Sequence, residues 1–115
     1  MKKIYYLKSC STCIRILKEL NQGEGFELQN IKEDRITSSQ LEEMAEMAGS
    51  YEALFSRRSM KYKALGLKNK ELTEVDYKNY ILDEYTFLKR PVIIINDDIF
   101  VGNAKKTVEA AKEKL

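Results

Sequence analysis

The chain has 115 residues, 43% hydrophobic and 33% charged, which suits one globular domain that buries its own core rather than a disordered segment. Its 20 basic and 18 acidic side chains leave a formal charge of +2, too little to argue for nucleic acid or an anionic membrane surface. Two cysteines and no histidine exclude a zinc site with a full ligand set and any Ser-His or Cys-His pair, leaving acid-base chemistry to thiols, carboxylates, lysines and tyrosines.

Lys3 to Leu7 reads as a short buried strand that begins almost at the N-terminus, with no apolar signal region before it. The longest aliphatic run, Val92 to Ile95, is far too short to span a bilayer, so a cytoplasmic protein without membrane contact is expected. After the strand, Lys8-Ser9-Cys10-Ser11-Thr12 is polar and turn-like, and Ile14, Leu17 and Leu20 recur at helical spacing. Asn21 to Gly25 stops that helix. Phe26 and Leu28 alternate with polar neighbours in a second strand ending near Ile31, completing a βαβ unit with a parallel crossover.

The middle of the chain predicts only helices. Thr37, Ser38 and Ser39 are cap candidates, Ser39 to Glu42 spells a capping box, and Leu41, Met44, Ala45 and Ala48 share a face closed by Gly49. Tyr51 to Phe55 predicts a short helix leading to the basic corner Arg57-Arg58, and Lys61 to Leu65 another turn ended by Gly66. Thr73 to Asp76 repeats the capping box, followed by an apolar stripe at Tyr77, Ile81, Tyr85 and Leu88.

Pro91 then introduces Val92 to Ile95 as a strong buried strand, Asn96-Asp97-Asp98 as a tight turn, and Ile99 to Val101 as the returning strand of a hairpin. A closing helix carries Ala104, Val108, Ala111 and Leu115 on one face. The order β-α-β, helical insert, β-β-α predicts an α/β thioredoxin-like fold with a mixed four-stranded sheet. It is one domain over residues 1–115, with 1–31 and 88–115 as core and 37–87 as insert.

Cys10 stands where a strand ends and a helix begins, so free N–H groups and the positive end of the helix dipole favour its thiolate. Lys8 adds positive charge nearby, and Lys8, Ser11, Thr12 and Pro91 are the expected substrate- or anion-binding positions. Cys13 lies one turn deeper on the same face, placed to resolve a mixed disulfide at Cys10 or simply to fill the core. Among the arginines, Arg58 sits on a loop free to fold back, and Arg90 abuts Pro91 at the third strand. Guanidinium groups near a thiolate lower its pKa and grip oxyanions.

Lys8-Ser9-Cys10-Ser11-Thr12-Cys13, Arg57-Arg58-Ser59 before Tyr62-Lys63-Ala64-Leu65-Gly66-Leu67, and Leu88-Lys89-Arg90-Pro91-Val92-Ile93 before Val101-Gly102 together resemble the arsenate reductase/Spx family. The resemblance runs over the whole chain and implies a nucleophilic or sensing cysteine at Cys10, an anion-binding arginine at Arg90 and a cis proline at Pro91. It also implies thiol donors as partners (glutathione, glutaredoxin or thioredoxin), no bound metal or organic cofactor, and a monomer. Standard arsenate reductases carry serine and arginine where this chain has Cys13 and Ile14, and an arginine at the place of Ser56. Their third anion-binding arginine falls where this chain offers only Asn103, Lys105 and Lys106. Cys13 and Arg58 instead match the Spx-like and thiol-reductase branch. That branch implies an alternative function as a redox-sensing regulator binding the RNA polymerase α subunit, through a glycine whose place here is Ser50 beside Gly49.

Overall fold

The computed structural model describes residues 1–115 and divides into two compact units, one of Met1–Arg35 with Arg90–Leu115 and one of Ile36–Lys89. The first unit holds the sheet. Its strands are β1 (Lys2–Tyr6), β2 (Glu27–Asn30), β3 (Val92–Ile95) and β4 (Asp98–Val101), in the spatial order β2-β1-β3-β4. β1 runs parallel to β2 and antiparallel to β3, and β3 and β4 form an antiparallel hairpin. This is the expected mixed α/β sheet. Asn96 takes the hairpin turn in the left-handed region at φ 55°, which asparagine tolerates better than most residues.

Two helices of this unit, α1 (Ser11–Glu19) and α5 (Lys105–Glu113), contribute to one apolar cluster with the strands. Ile4, Ile93 and Ile95 come from the sheet, Ile16, Leu17 and Leu20 from α1 and its end, and Val108 and Ala111 from α5. Each fully buried aliphatic side chain contributes roughly 1.5–3 kcal/mol through lost water contact. The buried stripe of α1 is Cys13, Ile16, Leu17 and Leu20, whereas Ile14, expected on that face, is only half-buried. Starting the helical period at the cysteine accounts for the difference, because Cys13 occupies a full core position of its own.

Two further expectations need correction. Leu28 is exposed at 42% while Gln29 is buried at 5%, the reverse of the pattern read from β2. β2 lies at the sheet edge, where Leu28 only leans toward Gly23, and the buried amide of Gln29 is satisfied by donating to the Asp34 carbonyl at 2.9 Å. In α5 only Val108 and Ala111 are buried from the predicted stripe. Ala104 precedes the helix as its cap and Leu115 lies past its end, so both leave the face.

The second unit is helical, with α2 (Ser38–Ala48), α3 (Met60–Ala64) and α4 (Glu74–Asp83) joined by short 3-10 turns. Thr37 rather than Ser39 caps α2, forming its box with Gln40. The reciprocal bonds need the capping residue outside the helix, and Ser39 is already inside it. Gly49 ends α2 at φ 99°, a conformation that a Cβ would strain. Thr73 and Asp76 cap α4 as read.

α4 stops at Asp83, not Leu88, because Glu84 turns to an extended φ of −140° and its carboxylate accepts from the Thr86 N–H. A 3-10 turn at Tyr85–Phe87 then buries Phe87 rather than Tyr85. Phe87 stacks on Phe55 with ring centroids 5.0 Å apart, and Tyr77 meets Phe55 at 4.9 Å. This aromatic cluster and the buried Leu41, Met44, Leu54 and Ile81 form the unit's apolar interior.

Candidate functional site

β1 delivers the chain to the site and α1 receives it. The Cys10 N–H donates to the Leu7 carbonyl at 3.0 Å, closing the turn, and the Cys10 carbonyl accepts the first helical bond from Ile14 at 3.1 Å. Cys10 is therefore the N-cap of α1, extended at φ −93° and ψ 111°, with no acidic residue in the following turn to compete for the helix's positive end. Its side chain is half-buried, and both cysteines are free thiols.

The two thiols are driven apart electrostatically. Burial raises the pKa of Cys10, but the Cys13 N–H and thiol, the Thr12 N–H and the charge of Arg90 outweigh it, and the thiol lies below its ordinary value. Cys13 is completely buried, and that burial, assisted by the negative charge at Cys10, pushes its thiol up to about 11 against the pull of the Leu7 N–H and Arg90. The thiolate is thus favoured at one sulfur more than in an ordinary cysteine, while its neighbour holds its proton. Such an arrangement suits nucleophilic attack at Cys10.

Arg90 joins the thiols electrostatically from the start of the hairpin, and the Arg90–Pro91 peptide bond is cis. Pro91 is buried, and its carbonyl accepts from the Gly102 N–H at 2.9 Å. Thr12 contributes through its backbone, half-buried, while the Ser11 and Lys8 side chains are exposed. The Lys8 backbone N–H is tethered to Asn30 Oδ1 at 3.3 Å. The backbone of Leu7 was missed from sequence, and its only signal was its position at the end of the strand. No three His, Cys, Asp or Glu side chains gather to ligate a metal.

Arg58 belongs to the helical unit. Arg57 and Arg58 share a turn, yet their side chains have opposite fates. Arg57 Nη2 donates to Glu52 Oε2 at 2.9 Å and to the Tyr77 hydroxyl at 3.0 Å, and its guanidinium lies 5.9 Å from the Phe55 ring centre and 5.8 Å from that of Tyr77. Arg58 is exposed and makes no ion pair, while its backbone N–H rests on Ser56 Oγ at 3.3 Å. Ser56 is buried and donates its N–H to the Phe87 carbonyl.

Comparison with known proteins agrees with this architecture. The family model described as ArsC family matches residues 5–111. Among solved structures, an arsenate reductase from Vibrio cholerae superposes with a TM-score of 0.80 at 20% identity, over 99% of this chain and 97% of that one. A Staphylococcus aureus protein gives 0.77 at 26% identity, over 96% and 97%. One described as a possible arsenate reductase from Streptococcus mutans gives 0.74 at 25%, also over 96% and 97%. No curated protein gives a significant match. No helix is long and apolar enough to cross a membrane.

Proposed function

Because this chain belongs to the ArsC family, we propose that it is a cysteine-based thiol oxidoreductase with Cys10 as its nucleophile. The observation that carries this reading is the pair of unequal thiols, one lowered at the cap of α1 and one raised behind it. The Cys10 thiolate attacks one sulfur of a glutathione or protein disulfide, forming a new S–S bond as the other substrate sulfur leaves as a thiolate. Cys13, on losing its proton, attacks the Cys10 sulfur, closing a Cys10–Cys13 disulfide and releasing the second substrate sulfur.

Two electrons pass to the substrate in this cycle. Two glutathione thiols return them when the acceptor is a protein disulfide or arsenate, and the dithiol of a glutaredoxin or thioredoxin does so when it is a glutathione disulfide. Arsenate is the second acceptor of the same two electrons: with two protons it becomes arsenite, and the oxygen it loses leaves as water. Arg90 favours the thiolate, and Arg58 binds negative charge on the substrate. Lys8, Ser11, Thr12 and Pro91 border the acceptor. The setting is a monomer in the cytoplasm, where glutathione keeps both thiols reduced.

Reduction of a model disulfide and of arsenate, each with glutathione, glutaredoxin or thioredoxin, tests the assignment. Turnover by the wild type that vanishes in Cys10→Ser is expected. Equal rates for the two proteins with every donor would overturn it.

The buried Ser56, standing where arsenate reductases carry arginine, favours a second reading as an Spx-like redox switch. There the Cys10–Cys13 disulfide controls binding to the RNA polymerase α subunit. Pull-down with that subunit under reducing and oxidising conditions decides it: binding that changes with redox state supports the switch, and binding in neither state removes it.

A further inference from the structure

The corner at residues 56–59 is held by several backbone and side-chain bonds, none of which uses the Arg58 guanidinium. The Ser56 N–H is bound to the Phe87 carbonyl, and Ser56 Oγ accepts from the Arg58 N–H. Ser59 Oγ pairs with Thr86 Oγ1 at 2.8 Å and also caps α3 by accepting from the Lys61 N–H. Arg57 is clamped between Glu52, the Tyr77 hydroxyl and two aromatic rings. Only the Arg58 guanidinium is left without an ion pair.

Glu52 is the acid that Arg57 engages here, and Tyr77 donates to the same carboxylate oxygen at 3.4 Å. We propose that Arg57 is a positioning residue: by occupying Glu52 it keeps that carboxylate off Arg58, so that Arg58 alone is presented to a substrate anion. The role of Arg58 as an anion contact rests on the function proposed above, but the selection of one arginine over its neighbour does not. If Arg57 loses its charge, Glu52 is left uncompensated, and the next cation along the chain is Arg58. A neutralised Arg58 binds anions less well.

The test is arginine labelling with phenylglyoxal, read residue by residue by mass spectrometry, alongside KM and kcat for arsenate and for a glutathione mixed disulfide. In the wild type, Arg58 labels about fivefold faster than Arg57, the scale set by one exposed ion pair. Arg57→Met, which keeps an apolar stem against the rings, slows labelling of Arg58 and raises KM more than it lowers kcat. Adding Glu52→Gln to that variant restores both readouts, a rescue that a purely structural role for Arg57 would not give. Tyr77→Phe keeps the ring stack, loosens the clamp and narrows the labelling gap.

Equal labelling of the two arginines in the wild type, or a double variant that stays impaired, would overturn the proposal. Should Arg58→Ala leave KM unchanged while the labelling pattern holds, the anion-contact reading fails and the positioning role of Arg57 survives.

Discussion

The thiol junction and the arginine corner both leave one reactive group available, but they are built from different materials. At the junction, backbone N–H groups of Thr12, Cys13 and Leu7 act on the sulfurs, and Arg90 is the one charged side chain that acts on both. At the corner, side chains do the holding: Glu52, Tyr77, Ser56, Ser59 and Thr86 fix the turn on an aromatic floor. A backbone-built site survives most substitutions so long as the strand still ends and the helix still begins. A side-chain-built site fails one residue at a time.

The largest effect expected concerns the sulfur itself. Cys10→Ser should lower reductase turnover by at least ~10³-fold, the scale of losing a nucleophile, with the melting temperature nearly unchanged. At the corner the largest loss is in stability: Phe55→Ala removes a fully buried ring stacked on Phe87 and should cost about 3–5 kcal/mol in urea unfolding. A junction variant that destabilised as much as Phe55→Ala would break the contrast.

A middle-sized effect belongs to Cys13 and to alkaline pH. Its folded pKa of about 11 exceeds the unfolded value, so the stability it supplies is complete below the unfolded pKa and is lost as pH rises toward 11. The loss over that window is about 2–3 kcal/mol, and it should disappear in Cys13→Ala when stability is measured against pH. The smallest effects sharpen the comparison. Arg90→Ala should move the pH profile of Cys10 alkylation upward, because a charge favouring the thiolate is gone. Lys8→Ala, which removes an exposed side chain, should leave that profile where it was.

The same contrast explains what could be read in advance. The sheet, its βαβ opening, the hairpin and the cysteine at the strand-helix junction all follow from patterns a few residues long, and those were legible. Leu28 and Gln29 were misassigned because an edge strand obeys alternation only weakly, and because a glutamine can be buried once its amide finds Asp34. The end of α4 was missed because the apolar spacing of Tyr85 and Leu88 looked helical, while Glu84 capped a new turn. Distinguishing Arg57 from Arg58 required Tyr77 and Glu52, and holding their corner required Phe87 and Thr86. Most of those partners lie 20 residues or more away in sequence, where no local pattern reports them.

The burial of Cys13 also sets a clock. With its thiol at about 11, the side chain is ionised in only about one molecule in 10⁴ at pH 7. In the proposed cycle, a partner joined covalently to Cys10 cancels the charge there but not the burial, so the bond would wait on a rare ionisation before Cys13 could break it. The covalent complex then has a dwell time that shortens about tenfold for each unit of rising pH while the thiol remains protonated. A small thiol arriving from solution, already partly ionised, competes against that slow internal step, and its concentration decides which of the two releases the partner.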